Sequence, residues 1–83
     1  MNDFKSECKQ VVDDFKISFD KLKKSNVNPR EYSEGCTNLM YDVTLSLGRI
    51  AIKHSIHNGK FGASYLATFS YQSECQHYLE KNI

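Results

Sequence analysis

The sequence predicts an all-α fold, an antiparallel helical hairpin followed by a third helix. Three observations predict it. Apolar residues recur at steps of three and four through the first two dozen positions, a helix-start signal stands at Asn28, and a stop signal stands at Asn58-Gly59. With 83 residues the chain forms a single domain, 1–83.

The first helix is predicted to run from Asp3 to about Lys24. Asp3 is a favourable N-cap residue. Charged residues fill the positions between the apolar ones, which is typical of a helix with one buried face. The apolar stripe comprises Phe4, Cys8, Val11, Val12, Phe15, Phe19 and Leu22.

The second helix is predicted to begin at Asn28 and to end at Asn58-Gly59. Asn28 can cap the helix, Pro29 suits its first position, and Glu31 places a negative charge at its positive end. Because only a few residues separate this signal from the first helix, the two helices are expected to form an antiparallel hairpin. In the expected register Cys36 faces Phe19, which separates Cys36 from Cys8 by several turns and predicts no disulfide between them.

An alternative remains open for the second half of the chain. Residues from Tyr41 to Ile56 also alternate between apolar and polar, as in a strand, and Asn58-Gly59 is a common hairpin turn. This interpretation gives an α+β fold, with N-terminal helices and a three-stranded antiparallel meander turning at Asn58-Gly59. The helical interpretation is favoured because two opposed apolar faces on one helix imitate alternation, and because the cap at Asn28 requires a helix.

The second apolar face is the candidate functional feature. At about 100° per residue, one row of the second helix faces its hairpin partner and another row lies nearly opposite. Either the third helix, from Phe61 to about Lys81, covers this second row, or another protein does. The predicted partner-binding residues are Tyr41, Leu45, Ile52 and Ile56, together with Tyr71 and Tyr78 of the third helix.

No residue pattern predicts catalysis, a cofactor or a metal. His54, His57, Cys75 and His77 are the only candidate metal ligands, but Cys75 and His77 diverge on a helix and no paired ligand motif is present. The net charge is +1, which gives no basic surface for nucleic acid. The three widely spaced cysteines fit a reducing compartment, and no apolar run suits a signal peptide or a membrane span, so a cytoplasmic location is expected.

The segment FDKLKKSNVNPREYSEG, followed by a long helix ending in KHSIH, resembles the small helical-hairpin co-chaperones of type III secretion needle subunits. The matching residues are Leu22, Lys23, Lys24, Asn28, Pro29 and Tyr32, within about 40 residues. The resemblance implies a non-enzymatic cytoplasmic protein. It would bind a tetratricopeptide-like co-chaperone and help to keep a needle subunit from polymerising before export. Self-association is an alternative use of the apolar surface, and a small α+β regulator or inhibitor is the alternative function.

Overall fold

The computed structural model describes residues 3–59 and 61–82, and it describes the side chains of all of these except 57, 58 and 61. It contains three helices, α1 (Phe4–Lys24), α2 (Pro29–Asn58) and α3 (Phe61–Asn82). The predicted all-α fold is confirmed. The alternative with a β-meander is wrong, because 41–58 and 61–71, which would have supplied its strands, are helical throughout their described residues.

Both N-terminal caps form as the sequence predicts. The Asp3 carboxylate accepts a hydrogen bond from the Ser6 amide at 2.7 Å. Asn28 Oδ1 accepts one from the Glu31 amide at 2.8 Å, and Asn28 Nδ2 donates back to the Glu31 carboxylate at 3.1 Å. These bonds satisfy backbone donors that have no partner within the helix, and so they define where each helix begins.

Helix α2 ends in the manner predicted from its glycine. Gly59 adopts the left-handed conformation with φ of 68°, and its amide donates to the Ser55 carbonyl at 2.7 Å. A residue with a Cβ would be strained in this conformation, so Asn58-Gly59 acts as a helix stop. The chain then turns back into α3.

The core lies along the axis of the three-helix bundle. Helices α1 and α2 are antiparallel, with ring contacts near both ends of their hairpin: Phe19 with Tyr32 at 6.5 Å and Phe4 with His54 at 5.4 Å between centroids. Helix α3 runs parallel to α1 and contacts both other helices. The buried apolar residues are Cys8, Val12, Phe15, Phe19, Cys36, Val43, Leu47, Ala51, Cys75 and Leu79.

A pair of aspartate substitutions separates the core side of α2 from its other side. Val43 is only 4% exposed, and Ile52 is 52% exposed. Val43→Asp is expected to lower the free energy of unfolding by at least about 3 kcal/mol, because it buries an unpaired charge. Ile52→Asp is expected to change that free energy by less than about 1 kcal/mol. Urea unfolding at low protein concentration measures both, and equal losses would contradict this assignment of the core.

Candidate protein-binding surface

Four apolar side chains of α2 lie in one exposed row. These are the four α2 residues predicted from the sequence, Tyr41, Leu45, Ile52 and Ile56, and Ile56 is 76% exposed. At about 100° per residue they fall within one side of α2, nearly opposite His54, which contacts α1. The row therefore faces away from α1, and α3 leaves it open.

The structure does not bring Tyr71 and Tyr78 to this row. The Tyr78 hydroxyl donates to Asp20 Oδ1 at 2.9 Å, and its ring packs edge-on against Phe19 at 5.9 Å. Tyr71 is half-buried and packs against the core. Both tyrosines belong to the seam between α3 and α1, so the row on α2 is completed by other residues.

Leu66 and Phe69 of α3 continue the exposed surface instead. Leu66 is 64% exposed and Phe69 is 42% exposed. Both lie on the side of α3 roughly opposite Tyr71 and Tyr78, and therefore away from α1. Sequence reasoning missed them, although one signal was available: the segment 61–73 carries no Asp, Glu, Lys or Arg.

A hydrogen bond between the two helices indicates their approximate register. Gln72 Nε2 donates to Thr44 Oγ1 at 3.3 Å. Because α2 and α3 are antiparallel, Gly48, one turn after Thr44, lies opposite Thr68, one turn before Gln72. Phe69 is therefore level with the middle of the α2 row.

We name this surface the outer face, the side of the α2–α3 layer that is turned away from α1. Gly48 lies at its centre, and a Cβ built there would meet nothing within 4 Å. With about 200 Å² taken for each residue, the middle of the aromatic range, the exposed fractions sum to an upper figure on the order of 700 Å². The largest patch on a typical monomer is about 300–600 Å². The outer face consists of Tyr41, Leu45, Ile52, Ile56, Leu66 and Phe69 around Gly48.

Among the described residues, the ion pairs between helices lie on the seams with α1. On the α1–α2 seam, Glu7 binds both Lys53 and His54, the latter at 2.5 Å. The hydrogen bond from Lys53, followed by that from His54, lowers the pKa of the Glu7 carboxyl below its ordinary value of 4.5. These contacts hold α2 against α1 on the side opposite the outer face.

The α1–α3 seam carries a second polar cluster. Lys16 Nζ lies 3.1 Å from Glu74 Oε2 and 5.3 Å from the centre of the Tyr78 ring. The hydrogen bond to Glu74 raises the pKa of the Lys16 ammonium, and the hydrogen bond to Asp20 raises the pKa of the Tyr78 hydroxyl. This cluster fixes the side of α3 that faces α1 and leaves Leu66 and Phe69 outside.

The cysteines are packing residues of the core. All three are free and buried. Burial raises the pKa of the Cys8 thiol and of the Cys75 thiol to about 11 each. A thiol with so high a pKa is a poor nucleophile near neutral pH, because the thiolate is the reactive form. Their environment is that of small apolar fillers between helices.

The candidate metal ligands are not assembled. Cys75 is buried in the core, whereas His77 is exposed on α3. His54 is bound to Glu7, and the side chain of His57 lies outside the described residues. No group of three or more His, Cys, Asp or Glu side chains within the described part of the chain is arranged to hold a metal ion.

Neither a membrane span nor a known relative accounts for this surface. Within the described residues, none of the helices has an apolar stretch long enough to cross a membrane. Comparisons with protein-family models, with curated proteins and with solved structures gave no match to this chain. The candidate site therefore rests on its own geometry, an apolar outer face on a closed bundle.

Acid unfolding tests the Glu7 cluster. Because the folded-state pKa of Glu7 is lowered, its contribution to stability is present above about pH 4.5 and is lost as the pH falls through the folded-state pKa. Glu7→Gln should therefore lower the free energy of unfolding at neutral pH. This loss should become progressively smaller below about pH 4.5. Lys53→Gln should weaken the same acid dependence, since Lys53 is its largest cause. Denaturant titrations at several pH values measure both, and a pH-independent cost of Glu7→Gln would contradict the assignment.

Thiol labelling tests the burial of the cysteines. In the folded protein, Cys8 and Cys75 should react with iodoacetamide at least about 100-fold more slowly than in urea, because burial both shields the thiol and suppresses the thiolate. Peptide mass spectrometry after timed labelling gives the rate at each position. Labelling of either cysteine at its unfolded-state rate would show that the core is open.

Proposed function

We propose that this chain is a non-enzymatic protein-binding module, and that its outer face is the binding surface. The observation that carries the proposal is the extent of that face, which is larger than the apolar patch of a typical monomer. A soluble helix bundle leaves such an area open at a cost in solubility, and a partner that covers it removes that cost.

The chemistry of the outer face supports a helical, apolar partner. Its side chains carry no ionisable charge apart from the Tyr41 hydroxyl, and two antiparallel helices form its floor. An amphipathic helix can lie along such a layer and place its apolar residues near Gly48, where a Cβ would meet nothing within 4 Å. Tyr41 and Phe69 are the aromatic anchors, a type that is enriched among energetically important interface residues.

The more specific proposal is a secretion co-chaperone that acts in the cytoplasm. It is supported by the resemblance of 19–57 to the co-chaperones of type III secretion needle subunits, a stretch that covers the end of α1, the connection and nearly all of α2. A needle subunit polymerises through apolar helical surfaces. By covering such a surface until export, the chain would lower the concentration of free subunit by mass action, without a chemical step. A tetratricopeptide-like co-chaperone is the second partner that this resemblance implies.

The source cell provides the direct experiment. Tagged wild-type chain, Ile52→Asp and Ile17→Asp are purified from that cell, and their partners are identified by mass spectrometry. Ile17 is a matched control, because it is an isolated exposed isoleucine on α1 with 55% exposure against 52% for Ile52. We expect wild type and Ile17→Asp to retain a self-polymerising export subunit, and Ile52→Asp to retain at least about tenfold less.

Two results would overturn the proposal. Retention of the same subunit by all three proteins would place the binding surface elsewhere. Absence of any export subunit from the wild-type sample would exclude the co-chaperone function.

A further inference from the structure

The geometry points to a specific self-association. We propose that two copies of this chain pair through their outer faces about a twofold axis that passes α2 between Gly48 and Arg49. The proposal rests on the proposed function only in that the same surface binds protein. In the absence of another partner, a second copy of the chain covers that surface.

The α2 row is symmetric about its own centre. Tyr41 and Ile56 are equally distant from the midpoint between Gly48 and Arg49, and so are Leu45 and Ile52. In an antiparallel pair of helices, Tyr41 therefore faces Ile56 of the second copy, and Leu45 faces Ile52. A twofold interface requires this self-complementary pattern, because each residue must meet its partner twice.

The same axis also suits α3. The Gln72–Thr44 hydrogen bond places the midpoint between Gly48 and Arg49 within about one turn of the level of the midpoint between Ala67 and Thr68. Leu66 and Phe69 are equally distant from that second midpoint. A rotation that pairs the two α2 rows therefore brings Leu66 of one copy over Phe69 of the other, and one axis matches all six residues of the outer face.

The size of the face is adequate for a dimer. An area on the order of 700 Å² per copy approaches the roughly 800 Å² that each partner contributes to a standard interface. At the axis, the open surface over Gly48 allows the two α2 backbones to approach closely.

The charges set the salt dependence. None of the six facing side chains carries a charged group at neutral pH, so burial of the face leaves no unpaired charge. Arg49 is exposed next to the axis, on the side of α2 away from α3, and in the dimer its symmetry mate lies beside it. Salt screens this repulsion between like charges. We therefore expect association to strengthen with salt.

Sedimentation equilibrium over a wide concentration range tests the proposal on the purified wild-type chain. The mean mass should rise from 9.6 kDa toward twice that value. Ile17→Asp should behave as wild type, because Ile17 lies on α1. A mass of 9.6 kDa at every concentration and salt level would overturn the proposal, and this result requires no variant to fold.

A mixing experiment tests the register. Leu45→Glu and Ile52→Lys should each be monomeric, because each homodimer would bury two charges against apolar side chains. An equimolar mixture should form a heterodimer, since the new glutamate and the new lysine face each other once and the other Leu45–Ile52 contact is native. Circular dichroism confirms that both variants are folded. Monomers in the mixture would overturn the antiparallel register.

The two proposals can fail separately. If the purified chain dimerises but retains no export subunit from the source cell, the dimer is supported and the proposed function is wrong. If the chain stays monomeric and retains such a subunit, the proposed function is supported and the dimer is wrong.

Discussion

Helix α2 has apolar residues on two opposite sides, and a bundle of three helices can bury only one of them. The side with Val43 and Leu47 is buried in the core. The side with Leu45 and Ile52 remains exposed because α3 packs beside α2 rather than over this side. This constraint accounts for both the closed core and the open outer face, because α2 carries more apolar surface than α1 and α3 can cover.

The polar contacts explain why α3 takes that position. Glu7 of α1 forms an ion pair with α2, and Lys16 of α1 contacts the Tyr78 ring of α3. Between α2 and α3, the Gln72 side chain donates a hydrogen bond to the Thr44 hydroxyl. Charged residues thus secure the two seams with α1, while the layer formed by α2 and α3 presents an outer surface without charged side chains at its centre. The bundle is polarised, with a charged α1 side and an apolar outer face.

The sequence predicted the parts of the fold that depend on local chemistry. The caps at Asp3 and Asn28 and the stop at Gly59 involve residues within one turn of each other, so the residue type alone indicates the helix end. The exposed row of α2 was also predictable, because its helical period separates it from the core row. The apparent strand pattern arose from the same two rows, since residues on opposite sides of a helix alternate along the chain.

The contribution of α3 could not be predicted in the same way. Its apolar and aromatic residues are spread around most of the helix, with Gln72 and Gln76 interrupting the expected stripe. The side that faces inward is decided by contacts with α1, through Glu74 and Tyr78, which are distant in sequence. Tyr71 and Tyr78 were therefore assigned to the wrong side of the bundle, and Leu66 and Phe69 were missed.

The accessibility of the outer face in solution shows whether this surface is open in the monomer and covered in the dimer. Nuclear magnetic resonance with a soluble paramagnetic agent reports the exposure of each amide at low and at high protein concentration. We expect amides around Gly48, Ile52 and Leu66 to be strongly broadened in dilute protein and to become protected as the concentration rises, while those around Ile17 stay broadened throughout. Protection of the outer face in dilute protein would contradict an open face on the monomer, and no change with concentration would contradict the dimer.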